Sequence, residues 1–430
     1  MKYTKADLAI NGGPRAKTTP NIPMFPGGME IGEEEKREVL EVIDAKWLFR
    51  YYGPKEFPSK VRKLEEEYAK YTGKKHCLAL NSCTSSLICG LVAIGIEPGD
   101  EVIVPAYTFF ASVAAVVAAR GVPVVAEVDK SLTLDPFDVE RKITSRTKAI
   151  LPVHMRGMPC KMDRLMEIAG KHGLKVVEDV AQANGGSFRG KKLGSFGDVG
   201  CFSLQFHKVI TSGEGGILVT DEDLYYIRAQ AYHDVAACWR KDRFAPPEFE
   251  GEIFFGVNFR MGELAGAVAL AQFRKIEDIV ARMQMNKKRI KDRIKDIKGL
   301  DFREVNDERG DVSVCLIMYL PDSETARVFG EALRAEGVEG GTIYDKSIPD
   351  WHIYAHWPIL LGKMMPTKKG CPFNCPLTPN GMEIKYTEDM CPETLNWLSR
   401  AIHIDIPPQM PDKDCDQIAT AIEKVASVML

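Results

Sequence analysis

The sequence predicts an α/β protein with a mostly parallel, doubly wound sheet, followed by a smaller second unit. Three observations carry this. Short apolar runs alternate with amphipathic segments from about residue 75 to residue 220, the rhythm of strands joined by helices. The runs are apolar on both faces, as strands covered by helices on both sides must be. The length of 430 residues exceeds what one ordinary core fills.

The runs fall at 77–80, 101–104, 123–128, 148–153, 175–178, 199–203 and 216–219, with helices expected from Thr84 and from Phe109. In such a sheet ligands collect at the carboxyl ends of the strands, so chemistry is sought just after each run. Residues 276–297, rich in Lys, Arg and Met, read as a long connecting helix. A strand at 312–320 and a helix at 324–336 then open the second unit, and regular helical pattern returns at 412–430. The expected division is an N-terminal arm at 1–30, a large domain at 31–280 and a small α+β domain at 281–430. Within the last, residues 344–391 are dense in Pro, Gly, Trp and Cys and weakly periodic, so they read as an insertion or lid.

The bulk properties exclude several roles. A hydrophobic fraction of 45%, a charged fraction of 27% and a formal net charge of -3 describe a soluble globular chain and speak against general nucleic-acid binding. No apolar run reaches the roughly 18 to 20 residues that would span a bilayer, and the first residues lack a signal-peptide core. A cytoplasmic location follows as an expectation, with no membrane partner. The 11 cysteines, spread over so long a chain, read as thiols in a reducing compartment.

Four post-strand segments carry chemistry. Asn81-Ser82-Cys83-Thr84-Ser85-Ser86 follows a strand and opens a helix, where free N–H groups and hydroxyls receive an anion; it also reads as an ordinary hydroxyl cap. Val177-Glu178-Asp179-Val180-Ala181-Gln182 ends a strand in two carboxylates, and a buried acid there needs a cationic partner such as a protonated pyridine nitrogen. Gly197 to Ser203 leads to Lys208 and then to Gly213-Glu214-Gly215-Gly216, which puts a lysine in a loop between strands rather than on a solvated helix face. Gly256-Val257-Asn258-Phe259-Arg260-Met261 is the fourth and reads, alone, as a turn with a surface arginine.

In this order the segments resemble the DegT/DnrJ/EryC1/StrS family of sugar aminotransferases, from Gly53-Pro54 to the final helix. The resemblance implies the fold type I, aspartate-aminotransferase-like architecture and pyridoxal 5'-phosphate as cofactor. It implies that Lys208 carries the cofactor and moves the proton, that Asp179 pairs with the pyridine nitrogen, and that Gln182 lies by the ring and its 3-oxygen. Phe109 would stack on the ring. Thr84, Ser85 and Ser203 would hold the phosphate, and Asn258 would reach it from the neighbouring subunit of a homodimer with shared active sites. Two positions depart from the family pattern: Cys83 stands where Gly is usual, and His207 precedes the lysine where a small or hydroxyl residue is usual.

The implied reaction moves an amino group from glutamate or glutamine to a keto- or aldehyde-sugar. Phe49 to Tyr52, His154-Met155 with Met162-Asp163, and Trp351-His352-Ile353-Tyr354 resemble the branch that aminates 8-oxo-3-deoxy-manno-octulosonate for cell-surface polysaccharide such as lipopolysaccharide. An acidic acceptor wants cations, and Arg50 and Arg156 are candidates. A nucleotide-linked keto-sugar is the alternative acceptor. A PLP-dependent sugar dehydratase using His207, and a PLP-binding regulator without turnover, are the alternative classes. Cys371, Cys375 and Cys391 lack a paired two-residue motif, and no metal is expected. Trp351, His352, Tyr354, His356 and Trp357 suit either a sugar-binding face or a lid core.

Overall fold

The computed structural model describes residues 3–237, 239, 246, 251–345, 347, 349–376 and 378–430. The apolar runs form one seven-stranded sheet. In chain order the strands are β1 (His76–Leu80), β2 (Glu101–Pro105), β3 (Val122–Ala126), β4 (Thr147–Ile150) and β5 (Lys175–Asp179), then a small separate hairpin of β6 (Ser187–Phe188) and β7 (Lys191–Lys192), then β8 (Val199–Ser203) and β9 (Gly216–Thr220). The sheet order is β1-β9-β8-β5-β4-β2-β3. β9 runs antiparallel to β1 and β8, and the remaining pairings are parallel. Strands β2, β8 and β9 are buried at every position, which is why their sequences read as continuous apolar runs.

β4 stops earlier than the apolar run that announces it. Leu151 still donates to the Ile103 carbonyl at 2.8 Å, but Pro152 has no N–H to continue the ladder. The run's other edge goes on pairing with β5, the Asp179 N–H donating to the Pro152 carbonyl at 2.9 Å and the His154 N–H to the Asp179 carbonyl at 3.0 Å, so the apolar run reaches as far as the end of β5.

The helix Ile276–Ile294 spans two cores. Ile276, Ile279, Val280 and Met283 belong to the main one, Ile290 and Ile294 to a second. That second core is built on β10 (Asp301–Phe302), β11 (Cys315–Tyr319) and β12 (Ala401–Asp405), antiparallel in the order β10-β11-β12, with the helices Ser323–Ala335 and Asp412–Met429. The N-terminal segment is fastened to this unit. Leu8 is buried in its core, and the Glu336 carboxylate accepts the N–H groups of Ala9 at 2.8 Å and Ala16 at 2.9 Å.

Residues 344–391 pack into the main core. Ile353, Tyr354, Trp357, Phe373, Tyr386 and Cys391 are all part of it. The segment runs along the outer edge of β3: the Tyr386 hydroxyl donates to the Pro123 carbonyl at 2.7 Å and the Cys391 thiol faces the Val125 carbonyl at 3.9 Å. An open edge strand is a pairing hazard, and here it is covered. Positions 346, 348 and 377 of this range lie outside the described residues. Among the described residues no helix is long and apolar enough to cross a membrane.

Trp357 is fully buried, and its indole N–H donates to the Trp351 carbonyl at 2.8 Å. Trp357→Ala leaves a large cavity, while the Trp351 carbonyl keeps the Phe110 N–H at 3.0 Å, so a loss of about 3–5 kcal/mol from the cavity is expected, read as a lower urea midpoint.

Candidate active site

A cavity of about 680 Å³ opens at the carboxyl ends of the central strands. Its walls bring together most of the residues singled out in the sequence: Thr84, Phe109, Asp179, Gln182, Ser203 and Lys208.

Asp179 is the last residue of β5 and is 3% exposed. Each carboxylate oxygen has one donor: Oδ1 takes the Ala181 N–H at 3.0 Å and Oδ2 takes the Ser112 hydroxyl at 2.8 Å. A carboxylate offers about four lone-pair sites, so acceptor capacity remains for a further donor. Burial pushes its pKa up; the two hydrogen bonds and the Lys208 ammonium oppose this without overcoming it.

Lys208 sits in the loop between β8 and β9, where its N–H closes a turn on the Gln205 carbonyl at 2.9 Å. Its own carbonyl accepts the Gly27 N–H at 3.3 Å, which ties the loop to the N-terminal segment. Among the described residues its ammonium has neither hydrogen bond nor ion pair. Burial pushes its pKa down, Cys83 and Asp179 pull it back, and Arg156 adds to the depression. The cavity thus holds an acid and an amine that are both short of partners.

The helix Cys83–Ala93 begins at the cavity with Ser82, Cys83 and Thr84 in the wall. The Ser82 hydroxyl accepts the Ser85 N–H at 3.1 Å. Ser85 lies just behind the wall, its N–H spent on that cap and its hydroxyl donating to Asn81 at 2.7 Å. Gly216 explains part of the glycine motif: a Cβ there would lie 2.2 Å from the Ser82 carbonyl oxygen, so only glycine lets β9 approach this turn.

Gln182 accepts the Arg156 N–H on its side-chain oxygen at 3.1 Å, leaving its NH₂ for the cavity. Phe109 is 48% exposed and its ring lies 5.3 Å from that of His352. Asn258 is exposed and outside this chain's own cavity, with its side-chain oxygen accepting the Arg260 N–H at 3.2 Å. Arg50 is also elsewhere: it donates to Glu65 at 2.6 Å and to the Ala79 carbonyl at 2.9 Å, so it is a structural cation and not one of the cavity.

Two contributors, Ser112 and Val314, had no clear signal in the sequence, whereas His352 belongs to the aromatic group singled out there. Ser112 lies on an otherwise apolar helix, Ala111–Ala118, and its one hint is its spacing four residues after Thr108, whose hydroxyl it meets at 2.7 Å. His352 reaches the cavity because residues 351–353 pair with 107–110: Thr108 donates to the His352 carbonyl at 2.9 Å and Phe110 to that of Trp351 at 3.0 Å. Val314 arrives from the second unit. Tyr354 and Trp357 of the aromatic group are core residues. Among the described residues no cluster of His, Cys, Asp or Glu could hold a metal ion.

Glu178, next to Asp179, points away from the cavity. It accepts the N–H groups of Gly194, Phe196 and Gly197 at 2.7 to 2.9 Å and faces His154 Nε2 at 3.2 Å. His154 Nδ1 accepts the Cys160 N–H at 3.0 Å, which puts the imidazole proton on Nε2, toward the carboxylate.

The cavity fits pyridoxal phosphate group by group. Lys208 offers an amine for the aldehyde, and Asp179 an acceptor for a ring N–H. The Ser82–Thr84 turn with Ser203 offers anion donors, and Phe109 an aromatic face.

A family model described as the DegT/DnrJ/EryC1/StrS aminotransferase family matches residues 29–366. The chain is 29% identical over 402 residues to the spore coat polysaccharide biosynthesis protein SpsC of Bacillus subtilis, covering 92% of this chain and 95% of that protein. Its fold superposes with a TM-score of 0.74 and 26% identity on DesI, solved in the presence of its TDP-sugar product, covering 98% and 97% of the two chains. NtdA of Bacillus subtilis, solved with bound cofactor PMP, shares the fold with a TM-score of 0.73 at 22% identity, covering 95% and 86%.

Before cofactor is added, the buried Lys208 ammonium should weigh on stability. With its pKa lowered in the fold, the folded protein binds fewer protons than the unfolded one between that value and the ordinary lysine value of about 10.4, so stability rises with pH through the window. Lys208→Met should therefore stabilise the cofactor-free protein at pH 7, with the gain shrinking toward pH 10.5 in urea titrations. An equal gain at both pH values would contradict the lowered pKa.

Proposed function

The chain belongs to the DegT/DnrJ/EryC1/StrS aminotransferase family, whose cofactor is pyridoxal phosphate, and on that premise we propose that it transfers an amino group from glutamate or glutamine to a keto- or aldehyde-sugar. The observation that carries this is the pairing, in one cavity, of an isolated amine at Lys208 with an isolated carboxylate at Asp179. Bound there, pyridoxal phosphate supplies an electron-withdrawing ring that stabilises negative charge on the carbon next to the transferred nitrogen.

The chain's own residues do the rest. Burial favours the neutral amine of Lys208, so its Nζ can take a proton from substrate carbon and return it. Asp179, with one remaining acceptor face, holds the ring nitrogen in its protonated state, and Ser112 fixes the carboxylate for that task. Thr84 and Ser203 hold the phosphate with the first-turn N–H groups of the helix Cys83–Ala93. Ser85 supports that turn from behind. Gln182 orients the ring through its free NH₂, and Phe109 stacks on it. Asn258, exposed and away from its own cavity, completes the partner subunit's phosphate site in a homodimer.

For the acceptor we favour a free acidic sugar, 8-oxo-3-deoxy-manno-octulosonate first, because Arg156 brings a cation into the cavity wall. Likeness to DesI supports a nucleotide-linked keto-sugar as the second reading. A dehydratase needs a histidine in place of the lysine; His207 and Lys208 both line the cavity, and the lysine that transamination needs is therefore present.

The test is the visible spectrum of the PLP-loaded protein, before and after glutamate or glutamine. A visible cofactor band that bleaches with one donor, returns with the amino acceptor, and is absent from Lys208→Ala is the expected result. A band that no donor alters would leave a PLP-binding protein without turnover. Asp179→Asn should retain PLP but slow the bleaching by roughly two orders of magnitude or more, the scale of a lost electrostatic contact in a buried site.

A further inference from the structure

Arg156 holds an uncommon backbone conformation at the joint of two cavities. Its φ of 52° and ψ of 41° are left-handed, and Gly157 follows at φ 80°. Such a conformation is strained for a non-glycine residue, and persists only where the surroundings impose it. Arg303 imposes it. This arginine is 4% exposed and donates to three carbonyls: Ser131 at 2.5 Å, Met155 at 2.6 Å and Arg156 at 3.2 Å. From the other side Gln182 accepts the Arg156 N–H.

The side chain so placed lines both the 680 Å³ cavity and an adjoining chamber of about 330 Å³, with Met24 and Asp405 also shared between the two. Its inner edge lies beside the buried Tyr107 hydroxyl and His403 ring, neither of which carries a negative charge. Among the described residues its one carboxylate partner is Asp405, 3.0 Å from Nη1, on a side chain 44% exposed with no other bond there to hold it. Of the other cations of the chamber, Lys17 donates to the Thr19 and Pro20 carbonyls and faces the buried Asp414 at 3.7 Å, and Arg334 is exposed at the rim and donates to the Gly340 carbonyl at 3.1 Å; neither lines the larger cavity.

We propose that Arg156 is the substrate-carboxylate receptor of this site, with Asp405 as an exchangeable counter-ion that gives way when a carboxylate enters the joint between the cavities, and with Arg303 as its positioning residue. The proposal rests on the aminotransferase reading and deepens it, giving Arg156 a direct contact with one carboxylate and Asp405 the role of the counter-ion displaced. A planar guanidinium receives a planar carboxylate through two parallel N–H donors, which a neutral pocket cannot imitate. Among the described residues Arg156 is the one guanidinium lining both cavities, which at their joint suits one carboxylate better than the several charges of a diphosphate. That carboxylate can belong to the amino donor or to an acidic acceptor sugar.

The experiment is calorimetric titration of the PLP-loaded protein with glutarate, glucuronate and glucose, in wild type, Arg156→Asn and Asp405→Asn. Asparagine tolerates the left-handed conformation better than most residues, so the first variant keeps the backbone turn. Wild type is expected to bind at least one carboxylate more tightly than glucose. Arg156→Asn should weaken that binding by roughly tenfold to a hundredfold, the range for a charged hydrogen-bonded contact. Asp405→Asn should keep or strengthen it. Loss confined to glutarate assigns the receptor to the donor, loss confined to glucuronate assigns it to the acceptor, and loss of both assigns it to each in turn.

The proposal is overturned if wild type does not prefer carboxylates to glucose, or if Arg156→Asn binds them as wild type does. It is also overturned if Asp405→Asn loses as much as Arg156→Asn, since the ion pair would then be structural. Binding needs no turnover, so these outcomes are separate from the bleaching test of the transamination itself.

Discussion

An acid and an amine held in one cavity without direct pairing set the terms for everything around them. Desolvation raises the pKa of Asp179 and lowers that of Lys208, so each is pushed toward its neutral form. An unpaired buried charge costs several kcal/mol, and a flexible scaffold would relieve it by collapse or by letting in water. Here Asp179 is the end of a central strand, its backbone hydrogen-bonded to Pro152 and His154 on one side and in register with Cys201 of β8 on the other, and its side chain is fixed by Ser112. Lys208 lies in a loop anchored at both ends in β8 and β9. The two cannot relax toward other partners, and a cofactor carrying an aldehyde and a basic ring nitrogen relieves both at once.

The strand's alternation makes this arrangement possible with adjacent carboxylates. Successive side chains of β5 point to opposite faces. Asp179 enters the cavity, while Glu178 turns into the scaffold and gathers three backbone N–H groups and His154. Those N–H groups belong to residues 194–197, the turn that leads into β8. The same strand that presents the acid thus also fixes the approach to the strand that leads to the lysine. A one-residue slip would exchange the two roles and place the scaffold acid in the cavity.

Much of this was legible in the sequence because it is local. Buried strands announce themselves as apolar runs, and the residues expected to hold the cofactor sit just after them, so Thr84, Asp179, Gln182, Ser203 and Lys208 come together in one cavity wall. What was not legible depends on distant pairing. Ser112 looks like any small residue of an apolar helix until Asp179, 67 residues on, accepts its proton. His352 reaches the cavity only because its backbone pairs with residues near 108. Arg50 looked available and is consumed by Glu65, whereas nothing in the string shows that Arg156 adopts a left-handed turn. Residues 344–391 carry weak periodicity because they cover the edge of β3 through scattered side-chain and backbone bonds, a task that imposes no repeat.

The second unit contributes walls as well as bulk. Val314 and Asp405 stand at the start and end of paired strands β11 and β12, and both line the cavity whose floor is the main sheet. The helix Ile276–Ile294 buries side chains in both cores, so a shift between the units would disturb two packed interiors together, and close-packed cores resist such shifts. The Arg303 fork works in the same direction: from just after β10 it grips the carbonyls of Met155 and Arg156, which follow β4 of the main sheet. The relative placement of the units is therefore written into the position of Arg156. A site whose proposed cofactor residues lie on one unit and whose outer wall lies on the other can change its substrate by altering that wall, while the surroundings of Asp179 and Lys208 stay as they are.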